Sequence, residues 1–163
     1  MKRSLTLLAV VIAVAIAGGG YWYVQSKQPL REGEVALAGL TAPVSARYDA
    51  RGVPHLLAQN EQDLYRALGY VHAQDRLFQM EIVRRLARGE LAEILGARLL
   101  PTDSLFRSLE IRVRADQQAR ELDANSPHAK ALAAYLDGIN QYQDSRPAPL
   151  EFDLLGIEKR PFT

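Results

Sequence analysis

From Ser4 to Val24 the chain carries no charged residue, and Leu, Val, Ile and Ala dominate the run. No water-soluble helix is apolar all round unless it is buried in a large core or spans a membrane. Twenty-one residues at 1.5 Å each make a helix of about 32 Å, roughly the hydrocarbon thickness of a bilayer. Met1-Lys2-Arg3 precedes the run and Gln25-Ser26-Lys27-Gln28-Pro29 follows it, so residues 1–29 read as a signal anchor with one transmembrane helix. In that reading Tyr21-Trp22-Tyr23 sits at headgroup level. The rival is a cleaved signal peptide, with Lys2-Arg3 as n-region, Leu5 to Ile16 as h-region and Ala15-Ile16-Ala17 as cleavage signal. Cleavage after Ala17 leaves the aromatic trio exposed on a mature tail, which favours the anchor. Both readings export the body, and the anchor tethers it to the membrane facing the periplasm or the extracellular side.

Setting the leader aside leaves 134 residues, 30–163, enough for one domain with one modest core. That body carries 17 basic and 19 acidic residues, so it lacks the basic excess of a nucleic-acid footprint, and nucleic acid is excluded as a partner. The chain has no cysteine, which removes disulfide scaffolds, zinc ribbons, iron–sulfur clusters and thiol nucleophiles.

Periodicity divides the body. In residues 30–58 Val44, Ala46 and Tyr48 alternate with Ser45 and Arg47, Asp49-Ala50-Arg51-Gly52 is turn chemistry, and Val53, His55 and Leu57 return on one side. This predicts a β-hairpin with Pro54 at a strand start or an edge. From Glu61 to Asp144 the period becomes helical. Leu64, Leu68, Val71, Phe78 and Ile82 form one stripe on which Asp75 also falls. Either the helix breaks near His72 to Asp75, or a carboxylate enters the core with Arg84 and Arg85 as partners. A short helical piece is expected between Gly89 and Gly96, then an amphipathic helix through Leu105, Phe106, Leu109 and Val113. A third helix has Ser126 as N-cap, Pro127 at its first position and a face of Leu132, Tyr135, Leu136, Ile139 and Tyr142. Residues 150–163 read as an extended apolar tail. The fold class is therefore α+β, mainly helical with an N-terminal hairpin.

Catalytic constellations are sparse. His55, His72 and His128 have no metal-ligand spacing, and packed or surface histidines account for them. Nucleophile-elbow and phosphate-loop motifs are missing. Glu90 and Glu93 share a helical face without a cleft, and an acid–base pair needs one. Asp75 with Arg76 is the most unusual pair, best read as a structural, hydrogen-bonded carboxylate. Arg84-Arg85-Leu86-Ala87-Arg88 reads as an ion-pairing face.

One set of strings is long and ordered: Arg47-Tyr48-Asp49-Ala50-Arg51-Gly52-Val53-Pro54-His55, then Gly69-Tyr70-Val71-His72-Ala73-Gln74-Asp75-Arg76-Leu77-Phe78-Gln79-Met80-Glu81, then Arg84-Arg85, Gly89-Glu90-Leu91 and Glu93-Ile94-Leu95-Gly96. It continues through Leu136-Asp137-Gly138-Ile139-Asn140 and Pro149-Leu150-Glu151-Phe152 to Leu155-Gly156. Over residues 30–163 the chain resembles the start of the penicillin acylase family of N-terminal-nucleophile hydrolases.

The resemblance implies the N-terminal, α-chain part of a precursor that cuts itself and folds as a four-layer αββα body. The implied activity is hydrolysis of the amide bond of acylated amines, either penicillin-type β-lactam side chains or N-acyl homoserine lactones. The family's nucleophile is the serine that begins the β chain, beyond Thr163. No serine here has a matching context, so the resemblance places no catalytic, cofactor-binding or metal-ligating residue in this segment. A structural calcium belongs to the full-length protein. Implied partners are the remainder of the same precursor, the membrane through the leader, and a small acyl amide. The alternative is a membrane-anchored helical interaction module without catalysis.

Overall fold

The computed structural model describes residues 2–163, with side chains from residue 11 onward. The order is α1 (Lys2–Ser26), β1 (Ser45–Tyr48), β2 (Pro54–Leu57), α2 (Glu61–Arg88), α3 (Ala92–Leu95), a 3-10 turn (Ala97–Leu99), α4 (Leu100–Ser108), α5 (Ile111–Glu121), α6 (Pro127–Ser145) and α7 (Leu150–Leu155).

Two helices organise the body, and local chemistry fixes both starts. The Asn60 side chain accepts from the Asp63 N–H at 2.8 Å and caps α2. Ser126 caps α6 by accepting from the Ala129 N–H at 3.2 Å, with Pro127 in the first turn, as the sequence predicts. Gly89 ends α2 in the left-handed conformation, φ 66°, where its N–H reaches the Arg85 and Leu86 carbonyls. The helices cross where glycines face backbone. A Cβ on Gly69 would lie 2.0 Å from the Tyr135 carbonyl oxygen, and one on Gly138 would lie 1.9 Å from that of Arg66. This close approach brings Tyr70, Ala73 and Leu77 of α2 against Ile139 and Tyr142 of α6, and Phe152 and Ile157 close the core from the C-terminal side. Tyr70 and Tyr142 meet edge to face, with centroids 5.3 Å apart.

Of the two outcomes the sequence allowed at Asp75, the helix breaks. Arg76 has φ −143° and ψ 22°, a kink inside α2, and Asp75 is exposed. Of the stripe the sequence predicts, Val71 is buried, and the rest of the buried face is made by other residues. Ala67, Tyr70, Ala73, Leu77, Glu81 and Arg85 are buried, whereas Leu64, Leu68, Phe78 and Ile82 are only partly so. Arg84 and Arg85 pair with Glu81 instead of Asp75. On α6, Leu132 is 48% exposed and the small residues Ala129, Ala134 and Gly138 are buried in its place.

β1 and β2 pair antiparallel, Tyr48 opposite Pro54 and Ser45 opposite Leu57. The Asp49 carboxylate accepts from the Arg51 and Val53 N–H groups at 2.8 and 2.9 Å, which closes the turn. Pro54 begins its strand, as expected. Val53, His55 and Leu57 do share one side, and it is the outer one: Leu57 is 75% and Val53 49% exposed, while Pro54 and Leu56 are half-buried. The helix expected through Leu105 and Val113 is two, separated by Glu110 at φ 55°, and both residues are exposed. The tail expected to be extended contains α7, whose Phe152 is 1% exposed.

The leader needs the largest correction. Among the described residues no helix is long and apolar enough to cross a membrane. The part of α1 with described side chains, residues 11–26, spans about 24 Å. It contains Gly18-Gly19-Gly20 and ends in Gln25 and Ser26, and Lys27 then bonds to α7. The transmembrane anchor, and the membrane-tethered placement derived from it, are overturned on that ground. The four-layer arrangement is likewise not built here: the described residues form one two-stranded sheet beside a mainly helical body.

Candidate functional site

Two adjoining clefts flank α2 around its kink. The first, of about 480 Å³, lies between residues 30–43, the hairpin and the N-terminal half of α2, and Leu37, Leu40, Val44, Leu56, Tyr70 and Val71 give it an apolar lining. The second, of about 580 Å³, is polar. It lies over the kink and is lined by Lys27, Arg31, Arg51, Asp75, Arg76 and Glu151, among others. Gln74 and Arg31 belong to both linings. The Gln74 amide donates to the Tyr48 hydroxyl at 3.0 Å, and the Arg31 guanidinium lies 5.5 Å from the centre of the Tyr48 ring. Burial, with the nearby Asp75 carboxylate, pushes the Tyr48 hydroxyl above its usual range.

One carboxylate holds the segment that covers the first cleft. Asp63, fully shielded from solvent, accepts from the Thr41 hydroxyl at 2.7 Å, the Thr41 and Ala42 N–H groups at 3.0 Å and the Asn60 amide. The Thr41 hydroxyl does most to lower its pKa, from 3.8 to about 2; desolvation opposes, and the backbone and Asn60 donors add to the lowering.

The other residues singled out from the sequence are scattered. Arg76 bonds to Gln79 at 3.0 Å. Glu93 pairs with Arg85 at 2.9 Å and Glu90 with Arg112 at 3.6 Å, so these two glutamates serve different partners. His55 lies 3.5 Å from Asp49, and His72 lies 3.0 Å from the Tyr135 hydroxyl. Among the described residues no three His, Cys, Asp or Glu side chains converge as a metal site.

Sequence reasoning missed the buried network at Glu81. Its carboxylate, 1% exposed, accepts from Arg85 at 2.6 Å and also pairs with Arg84. The i,i+3 and i,i+4 spacing was the available signal. Arg84 also donates to the Arg160 and Pro161 carbonyls at 3.1 and 2.8 Å and stacks on Phe162, 4.1 Å from its centroid.

A family model described as penicillin amidase matches residues 43–163. The chain belongs to the penicillin amidase family. It is 44% identical over 140 residues to the penicillin acylase 2 proenzyme of Pseudomonas sp. (strain SE83), an alignment covering 85% of this chain and 18% of that protein. Over 147 residues it is 37% identical to the acyl-homoserine lactone acylase QuiP of Pseudomonas fluorescens, with 87% and 18% covered. Among solved structures it is similar to the thermostable penicillin G acylase from Alcaligenes faecalis, with TM-score 0.64 and 31% identity over 74% of this chain and 66% of that one. The chain spans about 18% of the length of these two curated relatives.

In this penicillin amidase chain most of the family-like strings perform structural work. Gly69 and Gly138 permit the helix crossing, Asp137 pairs with Arg66 at 2.6 Å, and the Asn140 amide both donates to and accepts from the Phe162 backbone at 2.9 and 2.8 Å. Asp75, Arg76 and Gln79 are the exception: all three are exposed along the second cleft.

Proposed function

We propose that this chain is the N-terminal part of an acylase that hydrolyses the amide bond of acylated amines, of the penicillin-type β-lactam or N-acyl homoserine lactone class. The family match over residues 43–163 carries the reading. Support comes from a penicillin acylase and an acyl-homoserine lactone acylase that align with most of this chain at 44% and 37% identity. Residues 30–163 act as the folded unit, and residues 1–29 precede it as a leader whose end is bonded to α7 through Lys27. The chemistry belongs to the remainder of a self-processing precursor, where a chain-terminal serine uses its own amine as base. This chain supplies the α2–α6 scaffold and apolar faces for that remainder to pack against, and the 163 residues alone are inactive.

The test is a chimera in which residues 43–163 replace the matching stretch of the Pseudomonas penicillin acylase 2 proenzyme. Self-cleavage and release of free amine from a β-lactam acyl amide or an N-acyl homoserine lactone is expected. A chimera that accumulates as folded, uncut precursor and hydrolyses neither substrate contradicts the reading.

A further inference from the structure

The helices that follow α2 bury polar groups and expose apolar ones. The Asp103 carboxylate, 5% exposed, accepts from the Leu91 and Ala92 N–H groups at 2.9 and 2.8 Å, and the Arg107 guanidinium donates to the Gly89 carbonyl at 2.9 Å. These bonds fix which side of α4 faces the body. Leu105 and Leu109 each lie two residues further on, the opposite side of a helix with 3.6 residues per turn, and they are 57% and 50% exposed. Asp103 is the one buried residue of α4. The next helix, α5, buries none of its eleven residues. Val113 is 63% exposed, and Leu122, just past its end, 42%. Glu110 precedes α5 in the left-handed conformation and gives it no side-chain cap, and the Arg112–Glu90 pair at 3.6 Å ties it to the body. An isolated helix shorter than about 12 residues is marginal in water, and a surface ion pair adds little to it. A stable α5 therefore needs a covering surface that these 163 residues do not supply.

We propose that the outer face of α4 and α5, centred on Leu105, Leu109 and Val113, is the surface on which the remainder of the acylase precursor docks. The inference rests on the acylase reading and says where on this chain the remainder sits. The amount of chain outside these residues identifies the occupant. The aligned stretch is 18% of each of the two curated relatives, so more than four-fifths of such a protein has still to be packed. The family match over residues 43–163 takes in α4 and α5 whole, so the two helices belong to the framework shared with those longer proteins. An exposed apolar face on a shared framework marks an interface within that framework.

Hydrogen exchange tests this in the 163-residue chain, alone and co-expressed with the rest of the Pseudomonas penicillin acylase 2 proenzyme. Amides of residues 109–122 should exchange at least about tenfold more slowly in the complex than in the isolated chain, because docking holds a helix that otherwise opens readily. Leu105→Glu should leave the urea midpoint of the isolated chain unchanged, since that side chain is already in water, and should cut co-purification with the rest about tenfold. Val113→Glu makes the same test from α5 and serves if the first variant fails to fold. Hydrolysis of an N-acyl homoserine lactone by the same complex reads the acylase proposal separately. A complex that hydrolyses, while residues 109–122 exchange as in the isolated chain or Leu105→Glu co-purifies in full, overturns the docking face and leaves the acylase reading standing. Protection in a complex that hydrolyses nothing supports the face and removes that reading. Failure of any complex to form overturns the docking face. Protection in the isolated chain that grows with its concentration makes a second copy the occupant, and overturns it too.

Discussion

Replacing Gly138 by alanine sets two effects of opposite sign against each other. Alanine is favoured over glycine in a helix interior by about 1 kcal/mol, so at an open position the change stabilises. Gly138 is not open: the new Cβ would lie 1.9 Å from the Arg66 carbonyl oxygen, 2.9 Å from its carbon and 3.0 Å from the Tyr70 nitrogen. A carbon and a carbonyl oxygen come no closer than about 3.3 Å, so α2 and α6 must part locally by about 1.4 Å. All three obstructing atoms are backbone, so no side chain can turn aside. A radial gap of 0.5–1 Å already forfeits a quarter to a half of a dispersion contact, and the contacts at risk include Ile139 and Ala73, both 0% exposed. Overpacking of this kind costs about 3 kcal/mol, at the upper end of its usual range, which outweighs the propensity gain and leaves a net loss of about 2 kcal/mol. Urea unfolding of the 163-residue chain, followed by far-UV circular dichroism, measures it. Gly18→Ala, with nothing within 4 Å of the new atom, is the control and should not lower the midpoint. A Gly138→Ala midpoint equal to or above the parent refutes the close crossing.

The other predictions concern charges. Asp63 titrates at about 2 when folded against an ordinary 3.8; a lowered carboxylate stabilises fully above its unfolded pKa and loses that contribution as pH falls. The parent should therefore lose stability between about pH 4 and 2, and Asp63→Asn should flatten that part of a urea midpoint against pH curve; equal slopes would contradict the staple. Glu81→Gln leaves the buried Arg85 guanidinium, 5% exposed at its side chain, with only the 52% exposed Glu93 as carboxylate partner. A loss of about 3 kcal/mol is expected in the same unfolding assay, and a loss below about 0.5 kcal/mol would show that the network contributes little. Asp75→Asn alters an exposed group, so its unfolding midpoint should stay within about 0.5 kcal/mol of the parent; a larger loss would mean that Asp75 is tied into the core.

The parts legible in the sequence were those written in local chemistry. Ser126-Pro127 marks the start of α6, Asp49 to Gly52 marks the hairpin turn, and Gly89 marks the end of α2. Faces were harder, because which side is buried depends on what packs there. Leu57 and Val53 alternate correctly and still point outward, and α6 buries Ala134 and Gly138 where Leu132 looked the natural core residue. A pattern of large apolar residues does not report a close crossing, which requires small ones. The kink at Arg76 has no proline or glycine to announce it, and the carboxylate of Asp75 on an apolar stripe was the only sign of a break. The clefts and the link from Lys27 to Asp153 join residues far apart in sequence, and no spacing rule finds them. The family strings were legible as strings, but their use in crossing, capping and pairing required the structure.

The most direct measurement is release of a chromogenic amine from an acyl amide by residues 30–163, alone and co-expressed with the rest of the related Pseudomonas proenzyme. The account predicts no hydrolysis above buffer from the segment alone, stable association of the two parts, and hydrolysis only from the pair. Hydrolysis by the isolated segment that survives replacement of each of its serines, or two folded parts that never associate, would contradict it.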